Sequence, residues 1–564
     1  MKGKISIVIA TAALFAFSCG NNEKKEDAEQ NQEASVEKKD VPGMEVSDMR
    51  ALVNNYAEVD LKSDLVSELS ANQKQMLKKL IEVADIMETV FWKEAIGEKQ
   101  AFLSSIKDED ARRYAEINYG PWDRLDGNKA FVEGYGEKPK GACFYPTDMT
   151  DEEFQVLPEE VRNGWYSVIR RNDDGSLKEV PYHEEYPELL KAADLLDEAA
   201  ELAEDEGFKK YLKLRAEAFR TDNYFESDCA WMDMKTNLID FVVGPIESYE
   251  DEISGSRAAH SGQILIKNME WTRKIEHYNA ILQTLQSNLP VDPKYKAESA
   301  TNSGDMNVYD VVYSAGDCNS ASKNIAINLP NDPRVHAAKG SRKLQLKNAM
   351  KLKFDQILVP IAELLIADDQ IKHINFENAF FQNVMFHEVA HGLGVKFTIN
   401  SNKKSVRDAL GDSYSTIEEA KADMLGLYLV TMLHNMGEIK DQDLMDNYVT
   451  FLAGIFRSVR FGASEAHGKA NMMEFAFIKD NGGFNFDEAT EKYSVNLEKM
   501  QEAVKNFVSK VIVLQGDGNK AEVEKWIKEK SVVTPDLQKS LDKIAGAGIP
   551  KDIVYRQGAN VLGL

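Results

Sequence analysis

The chain predicts a predominantly helical α+β fold, and three observations carry that reading. Apolar residues recur at helical spacing in the first third, short β-branched runs lie mid-chain, and the helical pattern returns near Leu344 and holds to about Ile544.

Over residues 72–95, Met76, Leu77, Leu80, Ala84, Met87 and Phe91 would share one helix face, and Leu189, Ala192, Ala193, Leu196 and Ala199 do the same further on. Between them, residues 120–150 (GPWDRLDGNKAFVEGYGEKPKGACFYPTDMT) are rich in Gly, Pro and aromatics without a period and read as long ordered loops. Residues 237–243, 308–313 and 324–328 are candidate strands of a small sheet, each bounded by Gly, Pro or Asn. In the later helical stretch, interruptions are expected at Pro360 and over residues 400–412.

A length of 564 residues suits two to four domains or one large two-lobed body. The 93 acidic and 68 basic residues give a net charge of -25, which repels phosphate backbones, so nucleic acid is not an expected partner. Lys2 and Lys4, an apolar run over residues 5–17 and Ser18 before Cys19 look like a bacterial lipoprotein signal. The run is shorter than the roughly 20 residues that span a bilayer, so removal of residues 1–18 would leave Cys19 acylated at the new N-terminus. An ordinary signal peptide with an incidental cysteine is the alternative, and either implies export to the periplasm or cell surface. Residues 19–43 contain almost no large apolar groups and read as a disordered tether. Cys143, Cys229 and Cys318 have no CxxC spacing, which leaves at most one disulfide and no zinc knuckle.

Residues 387–391 read His-Glu-Val-Ala-His. On a helix, positions i and i+4 share a face, so His387 and His391 can reach one metal ion while Glu388 projects about 100° round, towards a water. A catalytic zinc needs a third protein ligand from elsewhere. The preceding FENAFFQNVMF is helix-compatible, and Gly392 and Gly394 mark a place for the helix to end. Residues 415–432 (STIEEAKADMLGLYLVTM) begin with Ser-x-x-Glu, which predicts a helix opened by a capping box of Ser415 and Glu418, with Ala422, Leu425, Leu429 and Met432 on its buried face. Glu419 falls in its first turn and can complete a His2Glu set. The competing reading makes the histidines a satisfied pair, Glu418 a cap and Asp423 a solvated partner of Lys421.

These motifs resemble those of the dipeptidyl-peptidase III family of zinc exopeptidases, over nearly the whole chain from about residue 45. EEAKADMLGLYL is similar to the family's Glu-Glu-x-x-x-Glu/Asp motif. The resemblance implies Glu419 as zinc ligand, with Glu418 and Asp423 as outer acids, Glu418 supporting a ligand histidine. The family's usual histidine motif is HExxGH, one residue longer than the motif here. Regular i,i+4 geometry still suffices for zinc, so the departure bears on the adjoining cleft and the cleavage preference. The resemblance also implies two lobes around a wide cleft: a mixed lobe with a small β-barrel or sheet over residues 44–260, 305–345 and 546–564, and a helical zinc-binding lobe over residues 261–304 and 346–545.

GPIESYEDE, residues 244–252, resembles the family segment in which Glu247 would grip the substrate's free amine and Tyr249 would donate to the transition state. INLPN, residues 327–331, resembles the family's substrate strand, with Asn328 and Asn331 flanking the peptide's N-terminal end. His467 matches the histidine that stabilises the tetrahedral intermediate. Without the resemblance these are an acidic loop, a turn after a strand and a lone structural histidine. Arg556 offers a cation for a peptide carboxylate but aligns with no motif.

The expected activity is release of dipeptides from the free N-terminus of short peptides by a monomer holding one Zn2+, with Glu388 as general base and His467 and Tyr249 as oxyanion donors. Its rivals are a zinc endopeptidase or aminopeptidase, a non-catalytic lipid-anchored peptide-binding protein, and a structural zinc protein. The last is disfavoured because a closed site wants four ligands, commonly cysteines.

Overall fold

The computed structural model describes residues 46–300, 305–400, 403–440, 442–462 and 466–564. Cys19 and the expected signal and tether lie outside them. The described chain forms two compact units. One, a mixed unit, comprises the chain up to Asn268 together with Tyr309–Arg342 and Asp552–Leu564, and the other comprises Met269–Val308 and Lys343–Lys551.

In the mixed unit the first long helix runs Ala71–Ala95, and its start is set by a capping box in which Ser70 and Gln73 satisfy each other's amides. Met76, Leu77, Leu80, Ala84, Met87 and Phe91 are all buried along it. The helix Glu188–Leu202 buries its predicted stripe likewise. Residues 120–150 are largely irregular, with one two-residue ladder between Trp122–Asp123 and Lys129–Ala130 and a 3-10 turn at Ala142–Phe144.

A five-stranded sheet has the spatial order Ile239–Glu247, Ala259–Lys267, Asp305–Gly316, Arg342–Leu346, Ala326–Leu329, and its first two pairings are antiparallel. The strand Ala259–Lys267 carries no alternation because every one of its residues is buried, and His260 Nδ1 within it faces Glu94 at 2.6 Å. Gly262 lies where the Ala71–Ala95 helix crosses this strand, since a Cβ there would stand 3.0 Å from the Cα of Ala84. A register shift between Pro245 and Glu247 leaves Ile246 unopposed, a bulge that re-aims the strand end carrying Glu247. Tyr56–Asp60 and Asp552–Arg556 pair in parallel and tie the C-terminal segment into this unit.

The other unit is almost wholly helical. Its main elements are Phe381–Ala390, Tyr414–Met436, Leu444–Val459, Ala466–Asp480 and Leu497–Asp517, plus a hairpin of Phe484–Asp487 with Lys492–Val495 that had no counterpart in the sequence reading. Pro360 does not break its helix. It sits in the first turn of Val359–Leu365, after a π-helical stretch Phe354–Leu358 whose wider turn accommodates the missing amide. The expected interruption over residues 400–412 contains a short helix, Val406–Leu410.

Candidate active site

The Phe381–Ala390 helix is entered from a π turn, Phe376–Phe380, capped by the side chain of Asn375, and it ends at His391. Beyond it Gly394 takes a φ of 90°, and the Leu393 carbonyl accepts from Lys421 at 2.9 Å. Both imidazoles sit on one face, as their i,i+4 spacing predicts, with the two Nε2 atoms 3.1 Å apart.

The helix Tyr414–Met436 crosses directly over this one. Gly426 permits the crossing, since a Cβ there would lie 2.8 Å from the backbone N of His387 and 3.0 Å from the carbonyl carbon of Phe386. The helix is buried on nearly every side, although Met432 is only half-buried. The capping box expected at Ser415 and Glu418 does not form: the helix starts at Tyr414, and its cap residue Ser413 makes no side-chain cap bond. Glu418 is one full turn inside and is occupied elsewhere. It faces His391 Nδ1 at 3.0 Å and accepts from Lys421 at 2.8 Å and Gln515 at 2.9 Å. Asp423 is likewise no solvated partner of Lys421, for it faces His387 Nδ1 at 2.6 Å.

These outer carboxylates orient both rings. A proton held on each Nδ1 by Asp423 or Glu418 leaves each Nε2 as a lone pair, and both lone pairs point at the same space. Glu419 closes that space, with Oε2 3.4 Å from His387 Nε2 and 3.7 Å from His391 Nε2. Its Oε2 is buried and makes no hydrogen bond among the described residues. Two converging lone pairs and an unsatisfied carboxylate oxygen, all within 4.8 Å of one another, make a set that could hold a metal ion. Burial opposes ionisation of Glu419, but the facing His387 and the neighbouring His467 and His391 hold its pKa well below the carboxylate range. Burial similarly opposes charge on Glu418, and Lys421 and His391 overcome it, bringing its pKa down to about 2. Burial disfavours a charged His387, yet Asp423 and Glu419 raise its pKa well above the ordinary value.

Glu388 is fully buried beside the set, held by Lys343 at 2.7 Å. His467 Nδ1 stands 3.5 Å from Glu419 Oε2. Behind Asp423, the Asn471 amide donates to Asp423 at 3.0 Å and to Glu474 at 2.9 Å. Burial and the adjacent Asp423 charge push the Glu474 carboxyl well above the ordinary carboxylate range. Lys343, Gln515, Asn471 and Glu474 lie outside the sequence motifs, and Lys421 and Gly426, though inside the 415–432 segment, carry no local sign of their part in the site.

The remaining candidates belong to the mixed unit. Asn331 donates to the Ile246 carbonyl at 2.9 Å and to Glu247 at 3.0 Å, so the two predicted substrate segments meet. Burial pushes the Glu247 carboxyl up to about 7 against the bond from Asn331. Asn328 Oδ1 is buried without a partner among the described residues, Tyr249 is 66% exposed, and Arg556 pairs with Asp60 at 2.8 Å. In a second group that could hold a metal, His373 with Asp443 and Asp446, His373 Nδ1 is already in hydrogen-bond contact with Asp446 at 2.8 Å.

Residues 171–410 match the model of Peptidase family M49. The structure of DPP III from Caldithrix abyssi is 36% identical, with a TM-score of 0.83 over 91% of this chain and 99% of that one. The chain belongs to the dipeptidyl-peptidase III family. Dipeptidyl-peptidase III from Corallococcus sp. strain EGB is similar as well, at 35% identity and a TM-score of 0.70 over 91% of this chain and 97% of that one. Nudix hydrolase 3 of Arabidopsis thaliana is 32% identical across 89% of this chain and 72% of its own length. As a dipeptidyl-peptidase III family member the chain is a metallopeptidase with a predominantly helical α+β fold, and peptides are its substrates.

Proposed function

We propose that this protein is a zinc-dependent exopeptidase that releases dipeptides from the free N-terminus of short peptides. The observation that carries the metal assignment is the pair of Nε2 lone pairs facing Glu419, each ring fixed from behind by a carboxylate. Tetrahedral zinc at its usual distances of about 2.0–2.2 Å spaces its ligand atoms roughly 3.3–3.6 Å apart, close to the 3.1, 3.4 and 3.7 Å found among His387, His391 and Glu419. Two nitrogens and one carboxylate, without cysteine, suit a catalytic rather than a structural zinc.

Zinc bound there would supply a Lewis acid that acidifies water and polarises the scissile carbonyl. Glu388 takes the proton from the attacking water and returns it to the leaving amine. His467, next to Glu419, and Tyr249 donate to the developing oxyanion, where one such donor is worth about 3 kcal/mol of barrier. Glu247, oriented by Asn331, binds the substrate ammonium, and that charge-assisted bond counts residues from the N-terminus. Asn328 offers a buried carbonyl oxygen to the same end of the peptide. The one-residue-shorter histidine motif is no obstacle, because a regular helix already brings the rings together.

We further propose export as a monomeric lipoprotein anchored through Cys19. Palmitate labelling lost in Cys19→Ser tests the anchor.

Mass spectrometry of products from one peptide with free and acetylated N-termini, with added zinc or chelator, tests the activity. Successive loss of two residues from the free form alone is expected. Equal cleavage of both forms would make the protein an endopeptidase, and single-residue loss an aminopeptidase.

A further inference from the structure

The Glu388 carboxylate is nearly inaccessible, at 1% exposure, and its two oxygens are not equivalent. Oε2 accepts from Lys343 Nζ at 2.7 Å, whereas Oε1 is buried with no hydrogen-bond partner among the described residues. Lys343 is itself 17% exposed, and it lies in the same compact unit as Glu388. A lysine that reaches a buried carboxylate this closely makes a charge-assisted bond in a low-dielectric setting, where geometry is held far more firmly than at a surface.

We propose that Lys343 is a positioning residue for hydrolysis: by committing Oε2 of Glu388 it fixes the side-chain torsions and leaves Oε1 as the single oxygen that meets the reacting water. The inference rests on the general-base role given to Glu388 above. In the first half-reaction an O–H bond of water breaks, its proton joins Oε1 and its oxygen bonds to the scissile carbonyl carbon. In the second, the C–N bond breaks and the Oε1 proton moves to the amine nitrogen. Lys343 keeps its own protons throughout and forms no covalent bond.

Lys343→Met removes the ammonium while keeping an unbranched stem. On peptide hydrolysis, kcat is expected to fall roughly 10- to 100-fold with KM changed by less than about threefold, since a misplaced base costs turnover rather than binding. Bound metal should remain at the wild-type level, Lys343→Arg should recover part of kcat, and ethylammonium should partly rescue Lys343→Ala. A crystal structure of Lys343→Met gives a readout independent of turnover, with the Glu388 carboxylate expected to leave its rotamer. Unchanged kcat with Glu388 unmoved overturns the proposal. A rise in KM alone overturns it too, making Lys343 a substrate contact, as does loss of metal without recovery in the arginine variant. Because kcat is read on whichever bond is cut, products lacking one residue or cut internally would defeat the exopeptidase reading and leave the role of Lys343 standing.

Discussion

Glu388 is a fully buried carboxylate and Glu247 a half-buried one, and their neighbours set them apart. Burial would raise Glu388, but Lys343 and the two histidines hold it low, so it stands ionised and ready to accept a proton. Glu388→Ala should keep metal and peptide affinity while abolishing turnover; turnover near wild type in a metal-replete variant would remove it from the mechanism. Glu247 has only an amide donor, Asn331, and its carboxyl sits at about 7. It must ionise to hold an ammonium, while a peptide's own amine loses its charge above about 8. Apparent affinity for free peptides should therefore peak between roughly pH 7 and 8, and Glu247→Gln should flatten the acid limb. Acetylated peptides should show no such profile, and an identical one would sink the assignment. The sign for stability is opposite: a carboxyl raised in the folded state contributes stability that is whole below about pH 4.5 and lost as pH rises through about 7.

Among elements, the crossing of Phe381–Ala390 and Tyr414–Met436 does most to build the site, because it places three acids of one helix against two histidines of the other. Gly426→Ala inserts a methyl where only 2.8 Å is available, against backbone that cannot swing aside. The helices must part, which should cost about 1–3 kcal/mol and weaken metal binding, as thermal unfolding and chelator competition would show. Gly454, in the helix Leu444–Val459, is the control: nothing lies within 4 Å of its added Cβ. Gly454→Ala should stabilise by about 0.5–1 kcal/mol through helix propensity alone. If both substitutions behaved alike, the close approach at Gly426 would not be what positions the acids.

For the whole molecule, each unit is assembled from segments distant in sequence, so each closes long loops and depends on contacts that no local pattern reports. All three metal-ligand candidates lie in the helical unit, so a metal should stabilise that unit selectively. Zinc at a thousandfold excess over its dissociation constant adds about 4 kcal/mol by mass action. Calorimetry with chelator should lower the transition belonging to Lys343–Lys551 and leave the mixed unit's transition in place. Zinc affinity should also fall as pH drops, because His387, whose pKa is raised, must shed its proton to bind metal. Affinity independent of pH between about 6 and 8 would contradict that coupling.

The sequence by itself determined what periodicity and spacing encode: the helix over 72–95, a second one carrying the stripe from Leu189 to Ala199, a small mid-chain sheet, and two histidines and a glutamate on helical faces, since these follow from a repeat of 3.6 or a β-branched run. Local chemistry misled where a tertiary partner outbid it. Ser415-x-x-Glu418 has a capping-box pattern, yet Glu418 serves His391, Lys421 and Gln515 instead. The strand Ala259–Lys267 stayed hidden because a strand buried on both faces has no alternation to display. Tertiary structure alone decided that Asp423 backs His387, that Asn471 and Glu474 stand behind it, and that Lys343 holds Glu388. A hydrogen bond between residues 36, 45, 48 or 97 positions apart leaves no mark on either local segment and exists only once the helices have packed.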